Sequence, residues 1–70
     1  MISTEVIKKR LSNGFQPFAL YLSDGRRFPV KHPDNIAVGK NAVVIMEDDD
    51  MSHLISTLHI VSLEEQVLPQ

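Results

Sequence analysis

Apolar residues along this chain recur at helical spacing up to about residue 12. From residue 17 onward they alternate or run together. Residues 3–12 predict a helix on that basis. Val6, Ile7 and Leu11 share one face, with Ile2 beside them. Ser3 or Thr4 offers an N-cap, Glu5 sits in the first turn and Lys8, Lys9 and Arg10 sit in the last. Both charge placements suit the helix dipole. Asn13-Gly14 then offers a left-handed C-cap. A helix this short is not stable alone, so its apolar stripe must dock on something.

Pro17 closes the helical option and pushes Gln16 extended. Phe18, Leu20 and Leu22 then alternate with Ala19 and Tyr21, which predicts a strand over 18–22 with one strongly apolar face. Ser23-Asp24-Gly25-Arg26 reads as a hairpin turn, since Asp-Gly supplies positive φ. The return strand, 26–31, carries Phe28 and Val30 inward and Arg27 and Lys31 outward. Pro29 cannot donate to a ladder, so one side of that strand must be an edge, a bulge or a bend. His32-Pro33-Asp34-Asn35 reads as a type I turn with Pro33 at its second position.

Residues 36–38 predict a short strand, and Gly39-Lys40-Asn41 a tight turn. Residues 42–46, Ala-Val-Val-Ile-Met, are apolar on both faces. Such a strand is either covered on both sides or keeps one face for an interface. An acidic loop follows over 47–52. The stretch from His53 to Leu63 admits two readings. Leu54, Ile55, Leu58 and Val61 would line a helix capped by Asp50 or Ser52. The β-branched Ile55, Thr57, Ile60 and Val61 favour instead two strands, 53–57 and 60–64, with a turn near Leu58-His59. The end, 66–70, reads as frayed. The fold class expected is mainly β: an N-terminal helix, then five or six short antiparallel strands curled into a small, partly open barrel. Phe18, Leu20, Leu22, Phe28, Val30, Ile36 and Val38 are its expected interior.

Composition narrows the chemistry. Seventy residues make one domain at most. A chain this short buries only about 60% of its unfolded surface and gains stability from a staple, a metal or a partner subunit. There are no cysteines, which excludes disulfides, thiolate metal sites and thiol catalysis. A net charge of −2 is unlike the basic balance of a free-standing nucleic-acid binder. The charges are segregated: Lys8, Lys9 and Arg10, then Arg26, Arg27 and Lys31, against Glu47, Asp48, Asp49 and Asp50. Solvated patches are the ordinary explanation; head-to-tail contact between subunits is the sharper one. No run of 18 apolar residues spans a membrane and no apolar segment precedes a cleavage site, so the cytoplasm of a cell, or of an infected cell, is the expected location.

Candidate sites are few. His32, Asp34 and His53, or the carboxylates 48–50, invite a metal, yet adjacent carboxylates on an extended loop diverge and the spacing of a calcium loop is missing. No metal site and no cofactor is expected. His59, among apolar neighbours, reads as a hydrogen-bonded, partly buried residue. Gly14, Gly25 and Gly39 are isolated and cradle no phosphate, and no nucleophile elbow is present, so no enzymatic activity is expected. Tyr21 lies outward, across from Arg27, where the pair would stack a base of a single-stranded nucleic acid or simply pack across the strands.

The run "LYLSDGRRFPV", after a helix and before a bent strand, resembles the Sm-like fold of the Sm, LSm and Hfq proteins, loosely over residues 3–46. That resemblance implies a ring of small SH3- or Sm-like barrels binding uridine-rich RNA between subunits, with Asp34 and Asn35 near the RNA. The second Sm motif, an Arg-Gly or Cys-Gly pair, has no counterpart here. The longer run "QPFALYLSDGRRFPVKHPDNIAV" is similar to short uncharacterised bacterial proteins with a Pro-Phe, Leu-x-Asp-Gly, His-Pro-Asp/Glu pattern, which implies no activity. Two functions are therefore expected in order: a self-associating interaction module, and an Sm-like binder of single-stranded RNA. Tyr21, Arg26, Arg27, Lys31 and Asn35 are the candidate RNA or partner contacts in either.

Overall fold

The computed structural model describes residues 2–12, 14–47 and 49–65. One helix, α1 (Thr4–Leu11), precedes six strands: β1 (Phe18–Leu22), β2 (Arg27–Val30), β3 (Ile36–Val38), β4 (Ala42–Met46), β5 (Ser52–Ser56) and β6 (Ile60–Glu65). They form two three-stranded antiparallel sheets, ordered β2-β1-β6 and β3-β4-β5. Among the described residues the sheets do not close on one another, so each keeps two edges.

Asn13, half of the expected C-cap, lies outside the described residues; Gly14 is left-handed at φ +68°. Ser3 occupies the N-cap position without a side-chain cap bond. Ile7 is fully buried and Leu11 half-buried, with Ile2 packed beside them. Val6, expected on the same face, is instead 43% exposed. Adjacent helical positions diverge by about 100°, so with Ile7 centred on the docked face Val6 falls at its edge.

The first hairpin is a three-residue loop. The Leu22 N–H donates to Arg26 O (2.9 Å) and the Gly25 N–H to Leu22 O (3.0 Å), with Gly25 at φ +91°. Asp24 does not share the positive φ. The turn is thus a type I turn closed by a left-handed glycine, not an Asp-Gly pair with both residues inverted. The hydrogen-bonded pair Leu22/Arg26 fixes the phase of the ladder, because bonded and non-bonded pairs alternate. Pro29, opposite Ala19, therefore sits at a non-bonded pair, and its missing N–H would have pointed to the open edge. That is how a proline enters this strand without breaking it. Pro33–Asn35 is a single 3-10 turn closed by Asn35 N–H to His32 O at 3.1 Å, as the type I reading expects.

The second long hairpin, β4 to β5, repeats the first. The Glu47 N–H donates to Met51 O (2.8 Å), the Asp50 N–H to Glu47 O (3.0 Å), and Asp50 is left-handed at φ +66°. Residues 53–63 form no α-helix. β5 and β6 flank a 3-10 turn, Thr57–His59. Thr57, buried, anchors it: its N–H and its hydroxyl both donate to Asn41 O, at 3.0 and 3.1 Å. β6 then leaves β5 and pairs with β1, with Val61 as an extra bulged residue between Ser62 and Ile60.

The two inner faces meet in a core of Ile7, Phe18, Leu20, Leu22, Phe28, Val30, Ile36, Val43, Ile45, Ile55 and Ile60. Six of the seven expected interior residues are in it, and the seventh, Val38, is half-buried against it. Among the described residues no helix is long and apolar enough to cross a membrane.

Candidate functional site

The five candidate contacts fall in three places. Tyr21 and Arg27 are cross-strand partners on the outer face of β1 and β2. By the phase set at Leu22/Arg26 they form a non-bonded pair, the closer kind. The Arg27 Nε donates to Tyr21 Oη at 3.2 Å and the guanidinium lies 5.9 Å from the ring centroid. Arg26 stands apart at the hairpin tip. Its backbone N–H donates to Asp24 Oδ1 (3.0 Å), its Nε to Oδ2 (2.8 Å), and its guanidinium lies 5.5 Å from the Phe28 ring centroid. The Arg26 backbone bond, assisted by its side chain and charge, holds the Asp24 carboxyl below the ordinary value of 3.8.

Lys31 and Asn35 make the third place. With Pro29, Met46, Glu47 and Asp49 they line a shallow groove of about 290 Å³. Asn35 Nδ2 donates to Met46 O at 3.0 Å, which ties the 3-10 turn to the end of β4. Two carboxylates face this groove beside one lysine, which opposes an anionic ligand such as a phosphate. The sequence thus picks a real pair, Tyr21 and Arg27, but not one continuous surface.

His53 lies on the inner side of β5, half-buried, with its ring 4.8 Å from that of Phe28 and Nε2 3.2 Å from Glu47 Oε2. His32 and Asp34 are exposed on the 33–35 turn. Asp48 lies outside the described residues. Among the described residues no three His, Asp or Glu side chains converge as metal ligands. His59 corrects its sequence reading: its side chain is exposed, and it is its backbone carbonyl that is used, accepting from the Ser23 N–H at 2.8 Å. The turn brings the carbonyl inward and leaves the imidazole in solvent. In the basic cluster of α1, Lys8 and Lys9 are exposed and Arg10 pairs with Glu65.

The surface that sequence reasoning did not assign is the outer face of β3-β4-β5. Ala37, Val44 and Leu54 lie side by side across the three strands. Val44 is 36%, Met46 45% and Leu54 78% exposed. Half the signal was visible, since residues 42–46 are apolar on both faces. The other half, Leu54, was hidden by the helix-or-strand ambiguity of its segment. No known protein family, curated protein or solved structure matches this chain.

Proposed function

We propose that this chain is a non-enzymatic interaction module, a small Sm- or SH3-like barrel that associates with copies of itself. The observation that carries the reading is the exposed apolar row Ala37, Val44 and Leu54, with Met46 beside it, in a chain of 70 residues without a disulfide. Burying such a row yields roughly 25 cal/mol per Å², a gain that a domain with so small a core otherwise forgoes. The barrel reading is supported by the two joints of the sheets, the Pro33–Asn35 turn from β2 to β3 and the Thr57–His59 turn from β5 to β6. Both swing the chain from one sheet to the other. Light scattering of the purified chain at micromolar concentration tests self-association. A mass above that of one chain is expected; a folded, strict monomer overturns the reading.

A second reading, an Sm-like surface for single-stranded RNA, is favoured by the Tyr21–Arg27 pair on the solvent side of β1 and β2. An aromatic ring with a guanidinium beside it is a stacking platform for a base. Titration of a uridine-rich oligomer at low salt, where phosphate attraction is strongest, is its test. No binding there ends it.

A further inference from the structure

We infer that the chain forms a two-fold dimer by antiparallel pairing of β5 with β5 of a second copy, centred on Leu54. The inference rests on the self-association proposed above and assigns it to one edge, where of the apolar row it covers Leu54, while Ala37 and Val44 stay on the outer face of the joined sheet. Among the described residues, two open sheets leave four edge strands: β2, β6, β3 and β5. An edge strand is a template for another strand unless something blocks it. Pro29 blocks β2, with its absent N–H aimed outward, and Arg27 and Lys31 flank it. β6 carries the Val61 bulge, the carboxylates Glu64 and Glu65, and the Ile2 N–H already bonded to Ile60 O at 3.2 Å. β3 has three residues, with α1 packed against it and the Thr4 hydroxyl bonded to Lys40 O at 3.4 Å. β5, Ser-His-Leu-Ile-Ser, has five residues, no proline, no acidic or lysine side chain and no bulge.

The hydrogen-bond phase shows which groups it offers. Glu47 N–H to Met51 O and Thr57 N–H to Asn41 O are bonded pairs at the two ends of the β4–β5 ladder. Alternation makes His53 and Ile55 the residues that bond β4. Ser52, Leu54 and Ser56 therefore aim N–H and C=O at the open edge. These three positions match a copy of themselves: Leu54 opposite Leu54, and Ser52 opposite Ser56 on either side. A two-fold axis at Leu54 satisfies all three at once and is self-limiting, as an isologous contact must be. The edge also opens on a groove of about 290 Å³ lined by Leu22, Asp24, Arg26, Ile55 and His59, which leaves room for inner-face side chains of the incoming strand.

Charge selects the direction. The acidic turn carrying Glu47, Asp49 and Asp50 adjoins the start of β5. A parallel partner would set the two acidic turns side by side. The antiparallel one sets Met51 opposite Thr57 of the second copy, so the turns lie about 20 Å apart at ~3.3 Å per residue. That exceeds the screening length of about 8 Å at physiological salt.

The test uses the absence of native cysteine. Leu54→Cys places two thiols across the axis at a bonded pair, with Cα atoms about 5.5 Å apart, inside the range of about 4.4–6.8 Å that a disulfide spans. Under mild oxidation it is expected to give covalent dimer at least about tenfold faster than the control Val61→Cys on β6, a position that is also more than half exposed. Leu54→Pro, which removes only an outward N–H as Pro29 does, is expected to halve the mass seen by light scattering while circular dichroism stays native. If Leu54→Pro fails to fold, Leu54→Lys, which sets two charges face to face, takes its place. A wild-type chain that is monomeric defeats the self-association reading itself. A wild-type oligomer with equal cross-linking at 54 and 61, or one that persists in the folded variant, overturns the β5 edge alone.

Discussion

The two long hairpins end in the same turn but place different residues at its left-handed position. Gly25 holds φ +91° and Asp50 holds φ +66°. Their bonds correspond one for one, down to Asp24 Oδ1 accepting from the Arg26 N–H at 3.0 Å and Asp49 Oδ1 from the Met51 N–H at 3.1 Å. Gly25→Ala isolates the backbone cost, since an added Cβ meets nothing within 4 Å. A left-handed alanine costs about 1–2 kcal/mol. Stiffening the unfolded chain returns about 0.4–1 kcal/mol. The variant should therefore lose about 1 kcal/mol, or about 4–8 °C in Tm for a chain of this size. Asp50→Gly should move the other way by a smaller amount, about 0.5 kcal/mol, because aspartate tolerates this region better than alanine. It also removes one of the crowded charges beside Glu47 and Asp49. Urea and thermal denaturation at one fixed protein concentration measure both, the fixed concentration being needed wherever subunits associate. A Gly25→Ala variant as stable as wild type, or a less stable Asp50→Gly, would show that the two turns are not of this kind.

Phe18→Ala removes the largest fully buried side chain, at about 3–5 kcal/mol. A 70-residue chain has only about 3.5–10 kcal/mol in total at about 0.05–0.15 per residue, so the variant should lose about a third or more of its stability, read as a lower urea midpoint by circular dichroism; an unchanged midpoint would contradict the place of Phe18 in the core. Ile7→Ala should destabilise by about 2–5 kcal/mol while Val6→Ala changes stability by about 0.5 kcal/mol or less; equal effects would contradict the docked face of α1. Asp24, with its folded pKa depressed, adds stability that is present above its ordinary value of 3.8 and fades as pH falls through the folded value. Asp24→Asn should flatten the acid limb of the stability curve below that pH, and an unchanged limb would remove the Arg26 contact from the account.

The hairpin β1–β2 was legible because every local signal agreed: alternation, Asp-Gly, and a proline that only an edge strand accepts. The 42–46 strand was legible as a strand but not in its surroundings, since periodicity cannot say whether a second apolar face is covered. Ile60 and Ile55 were read as strand residues without their place in the core. What fixes them is long-range: β6 abandons its neighbour β5 for β1, through the Thr57 and His59 backbone bonds to Asn41 and Ser23. No local pattern encodes that choice. The candidate site was legible by residue type and not by position. Tyr21 and Arg27 meet because a hairpin fixes their register, whereas Lys31 precedes and Asn35 ends a turn whose direction depends on the Asn35 bond to Met46 far along the chain.

Leu54 is 78% exposed, so the core does not require a leucine there. A lysine at that position would guard β5 as charge and proline guard β2, at little expense in folding stability. A strand that is regular, without proline, lysine or acidic side chains, and outward-bonding, next to an apolar row, is what an unprotected edge looks like, and native domains guard against it. The economical account is that the edge is covered in use. Leu54→Lys separates the two roles: its monomer should unfold at the same denaturant concentration as a wild-type monomer at high dilution, and only association should suffer. If the lysine variant instead loses more than about 1 kcal/mol as a monomer, beyond the range of a surface change, Leu54 is needed by the fold and its exposure ceases to argue for a partner.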